Sequence, residues 1–316
     1  MCAEKRDLLT LYDLAAGDFK RLFELSGKLK SRPHRTVLKN KTVALIFSKS
    51  STRTRVSFEV GISQLGGHSL FLSQNDIQLG RGETVEDTAT VLSRYVDGIV
   101  IRTYRHSEVE NFARNAAVPV INGLTDEAHP CQVLADLWTI IEKLGSYRGK
   151  KLVFLGDCRN NMAYSWITAA SLLGIHLVLS GHSRYRPAPR RVREAHAAAL
   201  KSGGRIECVS DPKKAVRNAD VIYTDVWTSM GQESESRTRR KLLEPWQVNR
   251  ALLEKAAPHA IFMHCLPAHR GEEVTPDVLE DGRSAVWDQA ENRLHVQKAI
   301  LMLLLDREKT SSPLRS

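Results

Sequence analysis

Residues 43–67 read VALIFSKSSTRTRVSFEVGISQLGG, and this stretch carries the pattern from which the fold follows. Its first five residues are apolar without alternation, as in a strand covered on both faces. Ser50, Ser51, Thr52 and Thr54 then supply turn and helix-start chemistry. The spacing of Val56, Val60 and Leu65 predicts a helix beyond the turn. Buried strand, polar turn and helix in succession form the repeating unit of a parallel α/β sheet.

The unit recurs along the chain. Further short apolar runs are SLFL (69–72), GIVI (98–101), PVIN (119–122), LVFL (152–155), HLVLS (176–180), RIECV (205–209), VIYTDV (221–226) and AIFMHC (260–265). Helical patterns such as ETVEDTATVLSRYV, SEVENFARNAA, HPCQVLADLWTIIEKLG and NNMAYSWITAASLLG lie between them. This alternation predicts doubly wound α/β architecture with right-handed crossovers. It pauses once, at the long helical pattern 130–144 followed by GSYRGKK, with four runs before and five after. At ~150 residues per domain, the 316 residues are expected to form two such lobes with an interdomain cleft. The expected first lobe is 1–135, completed by an apolar final helix at about 289–316; the second is 145–288, with 130–144 as linking helix. The polar tail TSSPLRS (310–316) is expected to fray.

Lysine plus arginine exceed aspartate plus glutamate by 46 − 36 = +10, and 26% of residues are charged. A basic balance attracts anionic small molecules and nucleic acids alike. The densest basic clusters, RYRPAPRRVR (184–193) and RTRRK (237–241), have one aromatic residue between them, Tyr185. Nucleic-acid binding calls for aromatic interleaving or a known module, so both clusters read as solvated helix faces and loops. No apolar run approaches the ~18 residues of a membrane span, and MCAEKRDLL lacks a secretory h-region. Five widely spaced cysteines without CxxC argue against a disulfide framework or zinc ribbon and point to the cytoplasm.

Ligands of open α/β sheets collect beyond the carboxyl ends of the strands. After VALIF, a helix N-terminus offers free N–H groups, and Arg53 and Arg55 add guanidinium groups suited to phosphate oxygens. Two arginines in a first helical turn oppose the helix dipole unless an anion is bound. Neither GxxxxGK[ST] nor GxGxxG is present, so a nucleotide cradle is not indicated.

The string STRTR (51–55) resembles the carbamoyl-phosphate signature of the aspartate/ornithine carbamoyltransferase family. HPCQ (129–132), RTY (102–104), NDIQLGRGET (75–84), GDCRNNMAYS (156–165), DVWTSMGQE (225–233) and MHCLPAHRGEEV (263–274) resemble further motifs of that family in the same order, several of them from its ornithine branch. The resemblance implies transfer of a carbamoyl group from carbamoyl phosphate to the side-chain amine of ornithine, giving citrulline and phosphate. It places Ser51, Thr52, Arg53 and Thr54 on the phosphate. Arg102, His129 and Thr54 go to the carbonyl oxygen, and Gln132 to the carbamoyl amide. Arg293, in AENR (290–293), reaches the donor from the final helix. Gln78 is implied to come from a neighbouring subunit, hence a homo-oligomer, a trimer or multiple of trimers, with shared sites. Asn161, Asp225, Ser229, Met230, Cys265 and Leu266 match the ornithine positions, with Leu266–Pro267 expected to be cis.

The chemistry itself requires an anchored phosphate, a polarised carbonyl and a neutral amine in line; it calls for no cofactor and no metal. A zinc reading of His264, Cys265 and His269 is disfavoured, because adjacent strand residues face opposite sides. His129 alone also fits a capping residue, since HP is common at helix starts. Two departures from the family pattern stand out: Ser48 replaces a common glutamate, and Tyr164 occupies a position where smaller or polar residues are frequent. Related acceptors such as putrescine or lysine remain open. A different class of reading is a non-catalytic binder of phosphate metabolites or nucleic acid, which predicts the loss of at least one site residue.

Overall fold

A computed structural model describes residues 5–73, 82–229 and 231–306 of the chain. Gln78, Met230, most of the 75–84 motif and the 310–316 tail lie outside the described residues.

Each apolar run forms a strand. The first four are β1 (Thr42–Phe47), β2 (His68–Ser73), β3 (Gly98–Arg102) and β4 (Val120–Leu124), and they make a parallel sheet of order β2-β1-β3-β4. The others are β5 (Lys151–Leu155), β6 (His176–Ser180), β7 (Arg205–Cys208), β8 (Val221–Thr224) and β9 (Ile261–His264), parallel and ordered β7-β6-β5-β8-β9. These nine are the strands among the described residues. The protein is thus α/β with two parallel sheets.

Several strands have bounds that differ from the apolar runs that predict them. VIYTDV stops as a strand at Thr224, because the Asp225 carboxylate accepts the Val226 N–H at 2.8 Å and turns the backbone. PVIN enters its sheet only at Val120: Pro119 lacks an N–H, although its carbonyl accepts from Ile99 at 2.9 Å. The final helix starts at Val286 rather than about 289 and runs to Leu305.

The chain divides into two compact units: residues up to Ala135 joined by those from Asn292, and Asp136–Glu291. The division falls inside the helix Pro130–Leu144. In the first unit, Ala44, Ile46, Ile99, Ile101, Phe112 and Val120 form a buried cluster on one side of the sheet. In the second, Val153, Leu155, Ile222, Trp246, Phe262 and Val286 do the same. Burying each large apolar side chain is worth about 2 kcal/mol, enough to fix the strand ends from which the polar loops depart. Among the described residues, no helix is long and apolar enough to cross a membrane.

Candidate functional site

Strand order reverses once in each sheet: between β1 and β3 in the first unit, and between β5 and β8 in the second. Connections leave in opposite directions at such a point, so a crevice opens beyond the carboxyl ends. Ser51, Thr52, Arg53 and Thr54 follow β1, Arg102 ends β3, Asn161 opens the helix after β5, and Asp225 follows β8.

In the first unit, the turn after β1 carries Ser51, the N-cap of the helix Thr52–Gln64; its hydroxyl accepts the Thr54 N–H at 3.2 Å. Phe58 and Ile62 of that helix are fully buried, which fixes its axis and hence where its N-terminus points. Thr52 is exposed and Arg53 half-buried. Thr54 is fully buried, and Arg293 donates to its Oγ1 from Nη2 at 2.8 Å. Arg102, the last residue of β3, donates to the same oxygen at 3.5 Å. A register shift between Ile101 and Arg102 in the β3–β4 ladder sets the direction of this side chain. Both acceptor positions of the Thr54 hydroxyl are thus engaged by guanidinium groups, leaving its own proton to donate elsewhere.

His129 immediately precedes the helix Pro130–Leu144, and its carbonyl accepts from Gln132 at 3.1 Å, so the capping role and the buried side chain coexist. Burial, reinforced by Arg293 and Arg102, holds the His129 imidazole well below the ordinary histidine range, so it is neutral near pH 7. Gln132 is buried beside it in sequence. Cys131 lies in the same turn and is inert: burial pushes its thiol up to about 12. Arg55 departs from expectation. Its Nε pairs with Glu59 at 3.0 Å, and its guanidinium lies 3.6 Å from the centre of the Phe71 ring, which occupies the charge locally.

In the second unit, Asp225 follows β8 and is buried. Its Oδ1 accepts from the Cys265 Sγ at 3.0 Å, and its Oδ2 from Asn160 Nδ2 at 2.9 Å. Burial raises the Asp225 carboxyl above the usual range, against the opposing pull of His264 and of the thiol hydrogen bond. Cys265 follows β9, and Leu266 has φ 56° before a cis bond to Pro267. Asn161 is the first residue of the helix Asn161–Leu173. Ser229 is half-buried, and its N–H donates to Gln232 Oε1 at 3.3 Å. The second unit therefore brings a carboxylate, a thiol and an amide together, while the first gathers two guanidiniums, a hydroxyl and a neutral imidazole.

The family model described as the aspartate/ornithine carbamoyltransferase carbamoyl-P binding domain matches residues 6–142. The model of the Asp/Orn binding domain of the same enzymes matches residues 148–304. The chain belongs to the aspartate/ornithine carbamoyltransferase family. It is 57% identical over 309 residues to the ornithine carbamoyltransferase of Syntrophus aciditrophicus, covering 95% of this chain and all of that one. It is 53% identical over 305 residues to a Pyrococcus furiosus relative described as ornithine carbamoyltransferase, anabolic, covering 95% and 96%. The solved structure of the ornithine carbamoyltransferase from P. furiosus superimposes with a TM-score of 0.92 at 52% identity, covering 96% of this chain and 98% of that one.

Four features of this carbamoyltransferase-family chain were not apparent from its sequence. Asn160 is the N-cap of the helix that Asn161 opens: its Oδ1 accepts from the Ala163 N–H at 2.8 Å while its amide donates to Asp225. The doubled asparagine at a helix start was the available signal. His264, weighed only as a metal ligand, is fully buried; Nδ1 accepts the Leu266 N–H at 2.8 Å, which leaves Nε2–H to donate to Glu273 at 3.2 Å. Lys49, next to Ser48, is buried, pairs with Asp126 and lies 4.1 Å over the Tyr104 ring. Arg239 corrects the solvated reading of RTRRK: it is buried against Asp157 at 2.6 Å.

Proposed function

We propose that this chain transfers the carbamoyl group of carbamoyl phosphate to the side-chain amine of L-ornithine, giving L-citrulline and phosphate on the route to arginine. The observation that carries the reading is the Thr54–Arg102–Arg293 cluster in one unit and the Asp225–Cys265 pair in the other. Relatives named ornithine carbamoyltransferase at more than half identity support it.

Ser51, Thr52, Arg53 and Thr54 take the phosphate at the helix N-terminus, where N–H groups and positive charge converge. Arg102, His129 and the Thr54 hydroxyl proton face the carbonyl oxygen and stabilise the negative charge that forms as the amine attacks. A neutral imidazole serves this role as a donor without adding a third positive charge. Gln132 holds the carbamoyl amide, and Arg293 the donor from the final helix. In the second unit Asp225 takes the α-ammonium, and Asn161 and Ser229, with Met230, take the amino-acid end. Cys265 and the Leu266 carbonyl receive the reacting amine. That amine must arrive neutral: its nitrogen bonds to the carbamoyl carbon, the carbon–oxygen bond to phosphate breaks, and the surplus proton leaves with phosphate or solvent. Positioning alone is worth on the order of 7–11 kcal/mol in such reactions. Among the described residues assigned to the acceptor, Asp225 supplies a carboxylate and none is a cation, which suits a diamino acid better than aspartate. Gln78 is assigned, from resemblance, to the site of a neighbouring subunit in a trimeric assembly, and the reducing cytoplasm suits the free cysteines.

A ureido-product assay with carbamoyl phosphate and ornithine, putrescine, lysine or aspartate tests this. Citrulline is expected to dominate. Absence of product with ornithine, or faster turnover of another acceptor, overturns the assignment.

A further inference from the structure

Arg239 is the buried arginine of the second unit among the described residues, 6% exposed, and the reaction outlined above does not use it. Its Nη1 donates to Asp157 Oδ2 at 2.6 Å and to the Trp227 carbonyl at 3.2 Å, while its Nε donates to Glu235 Oε2 at 3.1 Å. Its guanidinium also lies 4.8 Å from the centre of the Tyr185 ring. Asp157 is the residue after Gly156 in the turn leaving β5, and its Oδ1 accepts the Arg159 N–H at 2.8 Å. One guanidinium thus holds both ends of the connection from Trp227 to Glu235 and fastens it to the turn that leads into Asn160 and Asn161.

A buried ion pair does not by itself stabilise a fold, because desolvation offsets the attraction. What distinguishes this one is what it joins: Ser229 lies on the clasped connection, and Asn161 lies on the turn. We infer that Arg239, acting through Asp157 and Glu235, is a positioning residue that sets Ser229 and Asn161 at the spacing required by the amino-acid end of the acceptor. The inference rests on the ornithine reading for the identity of that acceptor. The planar fork is essential, since a lysine ammonium lacks the Nε–H that serves Glu235 while Nη1 serves Asp157 and Trp227.

Two variants test it: Arg239→Lys, which keeps the charge, and Glu235→Gln, which weakens the Nε clasp by removing the charge of a half-exposed carboxylate and leaves the buried pair intact. The expected result is a rise in KM for ornithine, about tenfold in Arg239→Lys and about threefold in Glu235→Gln, with binding of carbamoyl phosphate alone unchanged. An unchanged ornithine KM in these variants, or equal loss toward both substrates, overturns the inference. Hydrogen exchange over 227–235 without substrate reads the clasp independently of the reaction: faster exchange in both variants is expected, and wild-type rates overturn it. Failure of the wild-type protein to form citrulline would instead remove the ornithine reading, with the exchange measurement still deciding the clasp.

Discussion

Thr54 shows how one hydroxyl can organise a charge cluster. Two guanidiniums converge on its oxygen, so the residue fixes both arginines and directs its proton outward. Thr54→Val keeps the shape and removes these functions, and turnover is expected to fall about 10²-fold with smaller change in KM for ornithine. Steady-state kinetics with both substrates varied checks it; near-wild-type turnover would exclude the hydroxyl from the reaction. His129 gives a second prediction through its sign. Its imidazole is held well below the usual range by burial and two arginines, so it is already neutral as pH rises from neutral to mildly alkaline. Rising activity across that range must then come from deprotonation of the attacking amine. At the acid end Asp225, with its raised carboxyl, is neutralised at a higher pH than an ordinary aspartate and loses its grip on the acceptor ammonium. His129→Gln should lower the plateau and leave the profile in place; a displaced midpoint in that variant would mean the histidine itself titrates.

At the scale of elements, the nine strands were legible because parallel strands buried on both faces are written as continuous apolar runs. The ends of those runs were not, since a side-chain hydrogen bond such as Asp225 to Val226 decides where a strand turns. Arg102, which ends β3, and Asp225, which directly follows β8, stand where α/β ligands collect, and the motif resemblance singled them out as site candidates. Arg239 was not, because its partner Asp157 is 82 residues away and nothing local marks the pairing. The helix Val286–Leu305 hides a comparable case in Lys298, fully buried, with Nζ donating to Gln64 Oε1 at 2.7 Å and to the Leu29 and Pro33 carbonyls at 3.3 Å. Burial lowers its ammonium to about 8. Unfolding restores the ordinary value of ~10.4, so between these limits the unfolded chain binds more protons and stability rises with pH. The contribution is full above the unfolded value and is lost as pH falls through about 8. Lys298→Met should therefore shift the wild-type-minus-variant unfolding free energy by roughly 2–3 kcal/mol in favour of the wild type between pH 7.5 and 10. Denaturant titrations at several pH values measure it, and a difference independent of pH would refute the buried charge.

At the scale of the whole molecule, the proposed sharing of Gln78 between subunits makes a prediction that no single chain can mimic. Take Gln78→Ala and Asp225→Ala as two variants, each nearly inactive alone, because each removes one part of every site in its own assembly. In a mixed assembly, a Gln78→Ala chain keeps its own Asp225 and can receive the intact Gln78 of an Asp225→Ala neighbour, which restores one complete site. Random mixing at equal amounts makes that arrangement about one site in four for a cyclic assembly in which each site borrows from one neighbour. Co-expression with two different affinity tags, followed by purification through both, isolates the hybrids for assay. Each trimeric hybrid holds one complete site of three, so recovery toward about one third of wild-type turnover is expected after this purification. If Gln78 instead served its own chain, every site in the hybrid would carry one of the two lesions. No recovery would then be seen, and the shared-site arrangement would have to be abandoned while the carbamoyl-transfer chemistry stood.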